Sequence, residues 1–197
     1  MKEKNKLPVM YGYVIAYEAR VRAGLYDCND PKHPNKNEQL CGGGANWIRN
    51  NRQIIIERYK MQGQKIAQYL GKNADAVFIM EPDLFQYSSL DKNPQQGGGL
   101  SGEYAAQLHD DMCKALKDSL PNAKFSWDIS PWGDMDKWWG FFKNSKYVDF
   151  INTSGGGHLA STDKIDPHNS ITYDYMRKLT GKKIISDSGM SFEIINL

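Results

Sequence analysis

Val77-Phe78-Ile79-Met80-Glu81-Pro82-Asp83-Leu84-Phe85 is the stretch that decides the fold. Four apolar residues run directly into two carboxylates and a proline. An apolar run of this length, without alternation, marks a strand buried on both faces, as in a parallel sheet. Pro82 has no N–H to offer a ladder, so the strand ends before it. Glu81 and Asp83 therefore stand at the C-terminal end of a buried strand. In α/β folds ligands bind at that edge.

The pattern recurs along the chain. Lys124 to Asp128, Tyr147 to Asn152 and Lys183 to Asp187 are short strands that end in Asp128, Asn152 and Asp187. Val9 to Glu18 reads as the first strand, with Tyr17 and Glu18 at its tip. One polar tip means little, but five at one edge make a carboxylate-rich cleft. Helical spacing of apolar residues predicts helices over Trp47 to Leu70, Tyr104 to Leu120, Trp138 to Phe142 and Ile171 to Leu179. Pro121 stops the second, and Gly181 is a C-cap for the last. Strands alternating with helices predict βαβ units and a parallel sheet. The fold class is α/β: a (β/α) barrel, distorted or incomplete, with an open doubly wound sheet as the alternative.

Length bears on that choice, because a full barrel needs ~250 residues and the chain has 197. Residues 1–197 read as a single catalytic domain, a minimal barrel or a piece of a longer enzyme. The residues after Asp187 are too few for another strand and helix.

A net charge of +2 with both signs interspersed leaves no nucleic-acid footprint. No apolar run approaches the ~20 residues of a membrane span. Met1 to Lys6 precede an apolar stretch, but Glu18 and Arg20 follow without an Ala-x-Ala site, so that stretch serves as a strand and not as a signal peptide. Cys28 and Cys41 bracket a loop rich in Asn, Pro and Lys, and in an oxidising compartment they would staple it. Cys113, beside Met112 in a helix, reads as a buried thiol. With no CxxC and no paired Cys/His spacing, no metal or cofactor is expected.

Trp127, Trp132, Trp138 and Trp139 crowd around Asp128. A pyranose ring has apolar C–H faces that aromatic surfaces complement, while carboxylates and amides bind its hydroxyls. About half of these rings belong to the core. Trp132, in a Ser-Pro-Trp-Gly turn, is the leading ligand candidate, with Trp127 beside it. Asn152, Tyr17 and Glu81 join them as hydroxyl binders. His158, after Gly155-Gly156-Gly157, lies where it would touch substrate.

The motifs in order resemble glycoside hydrolase family 6, the inverting cellulases with a distorted (β/α) barrel. Ile79-Met80-Glu81-Pro82-Asp83-Leu84 is similar to that family's Ile-Glu-Pro-Asp-Ser-Leu signature, whose aspartate is the general acid. Tyr26-Asp27-Cys28 resembles the segment whose aspartate supports the acid. Ser126-Trp127-Asp128, Phe150-Ile151-Asn152-Thr153-Ser154 and Ile185-Ser186-Asp187-Ser188-Gly189 are similar to further segments, the last to the strand that bears the candidate base. The resemblance covers roughly residues 9 to 190. The chain departs from the pattern where Tyr26 replaces the arginine before Asp27, where Ile129-Ser130-Pro131 replaces a histidine motif, and at Met190.

The resemblance implies cleavage of a β-linked glucan, cellulose or related, by an inverting acid and base. Asp83 is then the acid, Asp187 the base, and Asp128 and Asp27 tune the acid or bind hydroxyls. Two such carboxyls stand ~6.5–9.5 Å apart so that a water fits between them. The expected partner is a polysaccharide or oligosaccharide, with no nucleic acid and no membrane, and the expected form is a secreted monomer. A non-catalytic carbohydrate-binding protein on a barrel remnant is the alternative.

Overall fold

The computed structural model describes residues 7–89, 98–129, 133–153, 163–165, 171–187 and 192–195. The apolar run at the centre of the sequence forms strand β2 (Val77–Met80), buried at all four positions. It pairs in parallel with β1 (Val9–Gly12) on one side and β3 (Lys124–Ile129) on the other. β4 (Phe150–Thr153) and β5 (Lys183–Asp187) continue the sheet in parallel. β6 (Phe192–Ile195) returns antiparallel on β5.

The strands lie side by side in chain order. Right-handed crossovers that always step in one direction put every helix on one face of the sheet. A doubly wound sheet reverses direction at a switch point, and here there is no reversal among the described strands. The fold is α/β with a parallel, sequentially wound sheet, the winding of a barrel left incomplete.

Among the described residues six α-helices connect the strands: α1 (Val14–Ala23), α2 (Leu40–Leu70), α3 (Leu84–Ser89), α4 (Gly102–Lys117), α5 (Met135–Phe142) and α6 (Tyr173–Thr180). Three carry side-chain N-caps of the expected kind. Ser101 Oγ accepts from the Tyr104 amide, Asp134 Oδ1 from Lys137 and Thr172 Oγ1 from Tyr175. Gly181 closes α6 in the left-handed conformation, as the sequence predicts. None of the helices is long and apolar enough to cross a membrane, among the described residues.

Alternation along the strands divides the core. Phe78, Met80 and Phe125 pack under α2 and α4 against Ile55, Tyr59, Leu108 and Met112. Trp127, Ile129, Ile151 and Ile184 pack under α5 and α6. On the opposite face Val77, Ile79 and Ile185 form a smaller cluster, with Val9 and Phe150 against it.

One expectation changes, and one strand is added. The stretch Val9 to Glu18 is not one strand: β1 stops at Gly12 and α1 begins at Val14. Glu18 and Tyr17 therefore leave the strand tips and ride on a helix. The residues after Asp187 need no crossover helix, because β6 returns as a hairpin partner. The loop before α2 is closed by the Cys28–Cys41 disulfide, with Cα atoms 5.4 Å apart, and Cys113 is a buried free thiol.

Candidate functional site

The C-terminal end of β2 organises the edge of the sheet. Glu81 has φ 38°, a left-handed backbone that costs a non-glycine residue ~1–3 kcal/mol and persists only where surroundings enforce it. They do. Its amide donates to Gly12 O at 2.8 Å. Its Oε1 accepts the amides of Val14 at 2.8 Å and Ile15 at 2.9 Å, with the Tyr59 hydroxyl at 2.6 Å. The same hydroxyl lies 2.7 Å from Gly12 O, so one phenolic proton serves two acceptors.

Gly12 makes this approach possible. A Cβ there would meet Tyr59 Cε1 at 3.1 Å and Met80 Sδ at 3.0 Å. Glu81 is 0% exposed. Burial is the main cause that pushes its carboxyl up to about 7, against the lowering by Tyr59 and the two amides. Burial and the Glu81 charge together push the Tyr59 hydroxyl well above its usual range. Glu81 was expected to bind substrate hydroxyls, but with one oxygen capping α1 and no exposure it positions other groups instead.

Asp83 is the more exposed of the two carboxylates that follow β2. The Tyr13 hydroxyl donates to its Oδ2 at 2.5 Å, the Tyr87 hydroxyl lies 3.2 Å from the same oxygen, and Gln86 Nε2 is 3.2 Å from Oδ1. The two phenols are 2.7 Å apart. Burial first and the charge of Asp83 second raise the pKa of both tyrosines. Asp27, exposed just before the disulfide-closed loop, adds a smaller push on Tyr13. Asp27 and Asp83, distant in sequence, thus both act on the Tyr13 phenol.

Asp128 and Asn152 also meet as their strand-tip positions predict. They are register partners on β3 and β4. Asn152 Nδ2 donates to Asp128 Oδ1 at 2.7 Å, and Ser126 Oγ donates to Asn152 Oδ1 at 2.5 Å. Asn152 is buried, and Asp128 keeps 6% exposure.

Trp127 corrects a prediction. Its ring is 2% exposed and packs at 5.1 Å from Trp139 and 5.8 Å from Phe142 between centroids. In a strand, neighbours point to opposite faces, so Trp127 goes to the helices when Asp128 goes the other way. Trp138 and Trp139 are core as well. Tyr17 is likewise displaced from the strand tips: it sits on α1, 66% exposed. Trp132 and His158 lie outside the described residues. Asp187 ends β5, and its side chain lies outside the described set.

Three tyrosines were missed by reading the sequence: Tyr13, Tyr59 and Tyr87. Tyr87 carried a signal, since it stands four residues after Asp83 on a helix. Tyr59 carried none, because its partners are 22 and 47 positions away. No model of a protein family matches the chain, and neither does any curated protein or solved structure.

Proposed function

We propose that the chain is a glycoside hydrolase that cleaves a β-linked glucan, cellulose first, by single displacement. The observation that carries this reading is Asp83: a half-buried carboxylate at a parallel strand's C-terminal end, aimed by Tyr13 and Tyr87. Asp83 donates a proton to the glycosidic oxygen as its bond to the anomeric carbon breaks. A water attacks that carbon from the opposite side and gives its proton to Asp187. β2 and β5 are separated in the sheet by β3 and β4, about 14 Å at ~4.8 Å per strand step, so this pairing requires both carboxyls to lean inward to reach the ~6.5–9.5 Å spacing of inverting enzymes. Between them Asp128 holds a sugar hydroxyl and the buried Asn152, expected to bind one itself, instead orients Asp128, while Asp27 supports the acid through Tyr13. The Cys28–Cys41 disulfide favours secretion, since such bonds persist in oxidising compartments. A monomer suffices for this chemistry.

The test is Asp83→Asn. Turnover of unactivated polysaccharide falls by at least ~100-fold, the low end for general acid catalysis. A substrate with a very good leaving group, which needs no proton, loses much less. Equal losses on both substrates, or none, remove Asp83 from the role. Retention of polysaccharide without any product leaves the carbohydrate-binding alternative.

A further inference from the structure

A groove of about 360 Å³ lies along the seam of α1 and α2 and is lined by Tyr13, Tyr17, Arg58, Met61, Gln62 and Lys65, with Glu18 among them. Its size falls in the ~300–1,000 Å³ range of small-ligand sites. The mechanism above does not use it.

The charges along it are fixed. Glu18 is buried, and its carboxylate lies 2.6 Å from Arg22 Nε and 2.8 Å from Arg58 Nε. A buried carboxylate with two guanidinium partners holds Arg58 in one place at the wall. Lys65 adds an ammonium that has no ion-pair partner among the described residues. Glu18 is the only acid of this lining, and Arg22 already meets its charge from outside the groove. The groove is therefore positive.

Apolar faces complete it. Tyr17 is 66% exposed and Met61 42%. A sugar ring laid on Tyr17 would bring a ring carboxylate to Arg58 and Lys65. Tyr13 joins this groove to the strand edge: its side chain lines the groove, and its hydroxyl bonds Asp83.

We infer that the α1–α2 groove is a subsite for a saccharide chain that carries carboxylate groups, with the chain continuing past Tyr13 toward Asp83. This rests on the glycoside reading and names the class of glycan. The test is calorimetric titration of the intact chain with cellohexaose and with carboxymethylated cellohexaose. The carboxylated sugar binds ~10-fold tighter at low salt, the equivalent of one charge-assisted hydrogen bond. That preference shrinks at high salt. Tyr17→Ala weakens both sugars, whereas Lys65→Gln reduces only the preference. Equal affinity for the two sugars, no binding of either, or unchanged binding in Tyr17→Ala overturns the subsite. Product formation beside a failed subsite leaves the hydrolase standing, and a working subsite without product sinks the hydrolase alone.

Discussion

Oε1 of Glu81 lies 2.8 Å from the amide nitrogen of Val14, a residue 67 positions earlier. The end of β2 thereby holds the start of α1. That helix has no side-chain cap of its own, and its first orphan amides need an acceptor. A carboxylate there also complements the positive end of the helix. Because Tyr13 precedes Val14, this bond also sets where the Tyr13 hydroxyl meets Asp83. One strained residue fixes the aim of its neighbour two positions on.

Glu81 makes stability depend on pH. Its carboxyl is near 4.5 when unperturbed and is raised to about 7 in the fold. The folded state then binds the proton more tightly, so its contribution is fully present below about pH 4.5 and is lost as pH rises through about 7. The loss is on the order of 3 kcal/mol. Glu81→Gln cannot titrate and keeps an acceptor for Val14 and Ile15. Thermal unfolding from pH 4.5 to 8 should therefore show the wild type falling relative to Glu81→Gln. Parallel curves for the two proteins would contradict a raised carboxyl.

Trp127 belongs to the core, and its truncation should behave accordingly. Trp127→Ala is expected to cost ~3–5 kcal/mol, as emptied aromatic sites do, in urea denaturation. The affinity of the folded fraction for oligosaccharide should not change. A stable variant with weakened sugar binding would return Trp127 to the cleft.

The proposed displacement has a stereochemical signature. With acid and base on opposite sides of the anomeric carbon, a β-linked substrate yields the α-anomer first. Glu81 is unsuited to act as a nucleophile, being 0% exposed with Oε1 committed to α1. Proton NMR of the fresh hydrolysate, recorded before mutarotation, decides between the outcomes. Initial β-anomer would exclude the inverting pair.

Strands β2 to β5 were legible because each is a short apolar run between turn residues. The meeting of Asp128 and Asn152 followed from their shared place at strand ends. Trp127 was legible too, had alternation been applied: it shares the parity of Phe125, and Asp128 that of Ser126. α1 was not legible. Its sequence continues the apolar run of β1, and short apolar runs do not distinguish strand from helix. What breaks the run is the carboxylate of Glu81, a partner from far along the chain. Tyr59 was hidden for the same reason, since nothing near it in sequence announces a hydroxyl bound for β1 and β2.

The loop that follows Asp27 is closed twice, by the Tyr26–Gln39 bridge and by the Cys28–Cys41 bond. Asp27 sits between those two closures, at the root of the loop and not at its tip. Its location relative to Tyr13 is thus insulated from whatever lies farther out. The turn at residues 30–32, beyond the His33 carbonyl that Gln39 Nε2 holds, is spare length in this sense. Doubling a loop raises its closure cost by only ~0.6 kcal/mol, so this segment has latitude to lengthen, acquire new side chains and reach toward a ligand while the carboxylate at its base stays put.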